Sequence, residues 1–251
     1  MNKAEKHLID SFQSLTVIVP VVTETKTLIE TVETVIQTIK KSDLKEIIIC
    51  PAYFTLPESK KITKDLCEKY HDVPVIILMQ EGTFEDLIKD MFKTVSGSHF
   101  IIQPSDLEED PRILSVFLQI SKANPNAIIT GSRFLSKECS KNYSIVKKFV
   151  FVFFRRLFKT VYSQNLTDTT FFYRIIPTEA VKNLVINQKS YSVLYEAFLK
   201  MIRVGFEVIE IPVEFQKRQD GKPRVKFFKD GIRYLWVFFR VRFADIKKFY
   251  T

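Results

Sequence analysis

The residues best equipped for chemistry in this chain lie in Ser98–Pro111, SHFIIQPSDLEEDP, where a short apolar run ends in a group of acids led by Asp106. A carboxylate at the C-terminal tip of a parallel strand stands in the crevice where open α/β sheets hold ligands. It suits a hard cation carried on a diphosphate, because Mg²⁺ takes one or two protein carboxylates and completes its shell with phosphate oxygens and water. Asp106 is therefore the candidate metal ligand, with Ser105 before it and Glu108 behind it. The acids also have a structural use: Asp106, Glu108, Glu109 and Asp110 precede Pro111, and anions at a helix start favour its dipole.

Three further segments have an order and spacing that suggest the same destination: Val19–Glu24 (VPVVTE), Gly131–Phe134 (GSRF) and Glu210–Arg224 (EIPVEFQKRQDGKPR). Each is weak alone. They must be positioned by the elements around them, and the first half of the chain alternates strand and helix as a parallel α/β sheet requires. Strands are expected at Leu15–Val22, Glu46–Cys50, Val73–Met79, His99–Gln103 and Ala127–Gly131. Helices are expected at Lys26–Lys41, Pro57–Tyr70, Phe84–Val95 and Pro111–Ala123. Beyond Gly131, helices are read at Asn142–Tyr162, Ser192–Val204 and Phe227–Phe243, strands at Asp168–Ile176 and Phe206–Phe215, and a basic loop at Lys217–Lys226. The three histidines, His7, His71 and His99, have no metal-ligand spacing and read as surface or strand-edge residues.

A chain of 251 residues with 46% hydrophobic content can bury a sizeable core and is not disordered. Its +9 net charge is uneven: residues 1–140 carry 16 Lys and Arg against 20 Asp and Glu, whereas residues 141–251 carry 22 against 9. A basic half of this kind fits a phosphate-bearing ligand, an anionic membrane surface or nucleic acid. Nucleic acid is set aside because no recognition motif accompanies the charge. Cys50, Cys67 and Cys139 form no paired framework, which favours a reducing compartment. The N-terminus lacks the apolar stretch of a signal peptide, and the longest apolar runs, Phe149–Phe154 and Tyr234–Phe239, are far short of a membrane span. The aromatic-basic stretches Lys147–Tyr162 and Tyr234–Phe249 have two readings, helices lying in a lipid interface or helices packed on the sheet with their charges in solvent.

In order and spacing the four segments resemble the family-2 glycosyltransferases, in particular the dolichyl- or polyprenyl-phosphate sugar (mannose) synthases. The likeness runs from about Leu15 to Lys229. Pro20 to Glu24 matches P-x-x-N-E, Pro104-Ser105-Asp106-Leu107-Glu108 matches D-x-D-L-Q, and Gly131-Ser132-Arg133 matches G-S-R. Asp168 to Arg174 keeps both ends of D-x-x-x-G-F-R, and Glu196, Gly205, Glu210, Pro212, Arg218 and Gly221 follow the family's E, G, E-x-P and R-x-x-G-K-S-K order. Departures cluster on the donor side: Pro51-Ala52-Tyr53-Phe54 stands where the family has D-D-G-S, Pro104 replaces the first aspartate of D-x-D, and Thr23 replaces asparagine.

The resemblance implies a GT-A fold, an α/β architecture with a mostly parallel central sheet flanked by helices and C-terminal amphipathic helices. It divides the chain into an extension at 1–14, the transferase domain at 15–229 and a basic-aromatic helix at 230–251. It implies transfer of a sugar, with inversion, from a GDP- or UDP-linked donor to a polyprenyl phosphate at the cytosolic face of a membrane, assisted by Mg²⁺ or Mn²⁺. Asp106, Glu108, Arg133 and Arg218 would be catalytic, and Pro20, Glu24, Ser105, Arg133, Arg174, Lys222 and Arg224 would hold the donor. The arginines suit phosphate because a planar fork of donors matches it. The rival reading, favoured by Pro51-Ala52 and Pro104, is a non-catalytic homologue that binds a lipid, a glycan or a protein. Donor sugar, acceptor and oligomeric state are open at this level.

Overall fold

Leu15–Val21, LTVIVPV, is apolar at nearly every position, and a strand can bury such a run only if both its faces are covered. The computed structural model places this strand, β1, inside a seven-stranded sheet. The structure describes residues 9–79, 82–136, 145–214, 216 and 227–251, with only the backbone described at 145–150 and 227–230.

The other strands are β2 (Leu44–Pro51), β3 (Val75–Ile77), β4 (His99–Ile102), β5 (Ile128–Ser132), β6 (Arg174–Pro177) and β7 (Val208–Pro212). Their order across the sheet is β3-β2-β1-β4-β6-β5-β7. All pairings are parallel except those of β6, which runs antiparallel to both β4 and β5. Among the described residues seven helices cover the faces: α1 (Lys26–Thr38), α2 (Pro57–Lys69), α3 (Phe84–Thr94), α4 (Leu114–Ala123), α5 (Ile145–Tyr162), α6 (Ser192–Arg203) and α7 (Phe227–Phe243).

Alternation along the strands divides the core in two. Val17 and Val19 of β1 and Ile47 and Ile49 of β2 pack toward α1, α2 and α4. Ile18, Ile48 and Cys50 point the other way, into the layer of α3, α5, α6 and α7. The expected mostly parallel sheet flanked by helices is therefore present. The C-terminal segment shares that second core: Val237, Phe238, Val241 and Phe249 are buried, Tyr162 donates its hydroxyl to Phe238 O at 2.7 Å, and Leu184 bridges to Tyr250.

Three expectations are corrected. The strand expected at Val73–Met79 shrinks to three residues at the sheet edge, where Ile76 and Ile77 are half-exposed and only β2 supplies partners. Of Asp168–Ile176, only the stretch from Arg174 onward is strand, and the residues before it form a loop over the site. His99 is wholly buried rather than on the surface, because β4 lies between β1 and β6. The strand at Phe206–Phe215 is Val208–Pro212, while Phe215, the basic loop 217–226 and residues 142–144 of the expected long helix lie outside the described residues.

The His99 ring donates from Nε2 to Pro125 O at 2.9 Å, and Ser98 Oγ lies 3.0 Å from Nδ1. Burial pushes its pKa down to about 4, offset only in part by the Pro125 hydrogen bond. The unfolded chain therefore binds a proton that the folded chain refuses between about pH 6.5 and pH 4, so stability falls as pH falls through that window. At about 1.4 kcal/mol per unit, the loss approaches 3 kcal/mol. Urea unfolding of wild type and His99→Gln at pH 7 and pH 4.5 measures it. A variant as acid-sensitive as the wild type would remove His99 from the account.

Candidate active site

The chain runs outward from β1 to β2 to β3 and then returns to place β4 on the other side of β1. Helices α1 and α2 pack on one face and α3 on the other, so the strand order reverses between β1 and β4. A crevice opens at the carboxyl ends of strands at such a reversal, the usual ligand position of an open α/β sheet. The segments at the carboxyl ends of β1 and β4 are Pro20–Glu24 and Gln103–Asp110. Ser105 Oγ donates to Pro20 O at 2.6 Å and ties the two sides together.

Asp106 is 6% exposed, and its Oδ1 accepts the Glu108 N–H at 3.1 Å. Between them Leu107 adopts φ 59°, a left-handed conformation that costs a residue with a Cβ about 1–2 kcal/mol. The surroundings compel it. Gln103, buried at the end of β4, donates from Nε2 to Pro104 O and Glu109 O, both at 3.1 Å, and its Oε1 accepts the Tyr173 hydroxyl at 2.7 Å. The Gln216 N–H reaches Glu108 O at 3.0 Å, so the chain after β7 is bonded to the acidic turn two residues before Arg218. Arg218, Lys222 and Arg224 themselves lie outside the described residues.

The four acids separate by role. Asp110 caps the turn at Pro111: its side chain accepts the Arg112 N–H at 3.0 Å and pairs with the Arg112 guanidinium at 2.7 Å, which holds its carboxyl below the usual range. Asp106 serves the turn at the strand tip instead. Among the described residues no group of three or more His, Cys, Asp or Glu could hold a metal ion. The donor set thus forms no cation site of its own among the described residues, so a cation at this turn would be one borne mainly by a diphosphate, with Asp106 as the candidate ligand.

On the far side of β4, the GSR segment ends β5. Gly131 is required by space, because a Cβ there would meet Phe171 Cε1 at 2.7 Å and Val213 Cγ2 at 2.8 Å. Arg133 makes a two-pronged ion pair with Asp168, Nε to Oδ2 at 2.7 Å and Nη2 to Oδ1 at 3.0 Å, and reaches Thr170 Oγ1 at 3.2 Å. Its guanidinium carbon stands 4.7 Å from the centre of the Phe171 ring. The fork expected to clamp phosphate is matched here to a buried carboxylate. Glu210 on β7 sets that carboxylate in place by accepting the Thr167 N–H at 2.8 Å and the Asp168 N–H at 2.9 Å.

Arg174 is turned inward as well. It is 2% exposed at the start of β6, donating to Thr130 Oγ1 at 3.0 Å and Thr169 O at 2.9 Å, with its guanidinium 3.6 Å from the Phe198 ring centre. Burial pushes its pKa down to about 9, and these partners all lie within the core. Glu24 turns back on its own loop, accepting the N–H groups of Val22 at 2.7 Å and Thr23 at 2.9 Å. Glu196 pairs with Lys200 at 2.7 Å, both 3% exposed, and anchors residues 187 and 188 away from the crevice.

Sequence reading assigned no role to Gln103, Tyr173 or Glu210. A lone polar residue closing an apolar strand was the available signal for Gln103. At the tip of β2, Tyr53 and Phe54 are 67% and 49% exposed and meet edge to face at 4.8 Å. They occupy the stretch in which the resemblance places carboxylates.

The fold is similar to that of glucosyl-3-phosphoglycerate synthase from Mycobacterium tuberculosis. Against the structure in complex with Mn²⁺, uridine-diphosphate and phosphoglyceric acid, the TM-score is 0.65 at 11% identity, covering 92% of this chain and 78% of that one. Against the complex with Mg²⁺ and uridine-diphosphate it is 0.63 at 11% identity, covering 92% and 79%. Against the complex with Mn²⁺, uridine-diphosphate-glucose and glycerol 3-phosphate it is 0.62 at 10% identity, covering 92% and 80%. The architecture is thus the GT-A-like one expected from the sequence. The family model for Glycosyl transferase family 2 matches residues 16–185, about two thirds of the sequence and every strand from β1 to β6, and the chain belongs to that family.

Proposed function

We propose that this protein transfers a sugar from a nucleotide diphosphate to a polyprenyl phosphate, as the dolichyl-phosphate mannose synthases do. One observation carries the reading: Asp106 is fixed at the strand-order reversal by a strained turn held from β1, β4, β6 and the chain after β7. A bound divalent cation would neutralise charge on the departing diphosphate. The protein's own contribution is to hold Asp106 toward that cation and to keep the turn rigid, so that little reorganisation is needed as charge develops. Tyr53 and Phe54 give the donor's base a stacking surface in place of carboxylate hydrogen bonds.

A phosphate monoester is anionic near neutral pH and needs positioning more than a general base. Arg218, Lys222 and Arg224 are the residues proposed to supply that positioning, with Glu108 beside the acceptor; they follow Gln216 in sequence, whose N–H bonds Glu108 O. An acceptor held at an anionic lipid surface is consistent with the basic C-terminal half. The phosphorylated small molecules named in the similar synthase complexes support a phosphate-bearing acceptor in general.

The internal engagement of Arg133 and Arg174 favours a second reading, a non-catalytic homologue that keeps the crevice for binding. The test is turnover of GDP- and UDP-sugars with Mn²⁺ on three acceptors: a short polyprenyl phosphate, glycerol 3-phosphate and phosphoglyceric acid. Transfer to the polyprenyl phosphate alone is expected. Transfer only to the soluble acceptors would replace the lipid acceptor, and no nucleotide binding at millimolar concentration would leave the non-catalytic reading.

A further inference from the structure

Helix α7 carries two apolar stripes, and the fold covers one of them. Val237, Phe238 and Val241 are at most 2% exposed, packed toward α5 and α6. On the opposite side, Ile232 is 75% exposed, Trp236 53%, Phe239 38% and Phe243 79%. Their spacing of four, three and four residues places them in one line along the helix. Large apolar side chains aligned on one helix are an interaction surface, whereas scattered ones are ordinary.

The flanks of the line identify what it fits. Arg233 and Arg240 are exposed along one side, and Arg240 stands 4.8 Å over the Trp236 ring. On the other side Arg242 is half-buried with Nε on Val161 O at 2.8 Å, and Lys247 and Lys248 are exposed one turn further on. The acid in this stretch, Asp245, accepts the Lys247 N–H and caps the last turn. On the neighbouring helix α5, Phe153 and Val152 are exposed next to exposed Arg155 and Arg156. A convex apolar ridge edged by cations matches the boundary between acyl chains and anionic headgroups. No helix among the described residues is long and apolar enough to cross a membrane.

We propose that the Ile232–Trp236–Phe239–Phe243 ridge of α7 inserts into the interface of an anionic lipid bilayer, with the helix lying in the membrane plane and its opposite face remaining in the protein core. This deepens the membrane partner of the transferase reading but uses none of its chemistry, so either can fail alone.

Trp236 is the single tryptophan of the chain, and its fluorescence reports the ridge directly. With full-length protein and vesicles of mixed phosphatidylcholine and phosphatidylglycerol, emission is expected to shift to the blue and to be quenched by brominated acyl chains. Binding should weaken as salt rises and be much poorer on phosphatidylcholine alone. Ile232→Glu with Phe243→Glu is expected to reduce vesicle partitioning roughly tenfold or more, since each change removes a large apolar side chain from the interface. Both residues are exposed, so the unfolding midpoint should stay at the wild-type value. Unchanged emission with anionic vesicles would overturn the proposal, as would undiminished binding by the double variant. So would emission that turns blue with protein concentration alone, which would identify a second copy as the occupant.

Discussion

Asp106→Asn is expected to lower kcat/KM for sugar transfer by about 100- to 1,000-fold while leaving the fold intact, the usual cost of removing one group that stabilises charge in a transition state. The asparagine keeps an oxygen to accept the Glu108 N–H, so the strained turn at Leu107 retains its support. What it loses is the negative charge proposed to face a cation. Asp106→Ala removes both, and should add a stability loss of about 1 kcal/mol for the missing hydrogen bond. The two variants therefore separate ligand from scaffold: similar activity losses with different unfolding midpoints assign Asp106 to the cation. Activity of Asp106→Asn within threefold of wild type, measured in Mn²⁺, would assign it to the turn alone.

The largest stability effect belongs to Asp168→Ala. Asp168 is fully buried and Arg133 is 14% exposed by side chain, so removing the carboxylate strands a desolvated guanidinium beside Phe171. Breaking a buried pair in this way costs about 3–5 kcal/mol. In a domain of this size each kcal/mol lowers Tm by about 2–4 °C, so the midpoint should fall by roughly 6–20 °C. The Thr167 and residue-168 backbone N–H groups that Glu210 accepts are kept by alanine, so the loss is that of the ion pair and not of the loop's backbone anchor. Replacing both partners, Asp168→Ala with Arg133→Met, should recover much of the loss, as apolar replacements of buried pairs commonly do. Additive losses in that double-mutant cycle would mean the pair contributes nothing as a pair.

What the sequence disclosed was decided by the range over which each feature is determined. Strands β1, β2, β4 and β5 read directly because parallel strands buried on two faces become continuous apolar runs, and the strand-order reversal then brought Pro20 and Ser105 to Asp106. Thr169–Tyr173 failed as a strand because its β-branched and aromatic residues express local propensity, whereas Glu210, about forty residues later, pins the loop before it. Arg133 and Arg174 looked alike as basic motif residues. Only tertiary placement distinguishes a guanidinium matched to Asp168 from one packed on Phe198. The role of Gln103 depends on Tyr173, seventy residues away, and no local pattern encodes that partnership.

The antiparallel strand β6 has a mechanical consequence. Among the described strands, β3-β2-β1-β4 forms one parallel block and β5-β7 another, and the four residues Arg174–Pro177 are the seam between them. Ile175 faces Ile101 across one side of that seam and Ile129 across the other. The Asp106 turn belongs to the first block, while Arg133 and Glu210 belong to the second. The spacing between the two halves of the crevice is thus gauged by a single four-residue strand. A packing change at Ile175 would alter the width of the crevice without touching any residue that lines it.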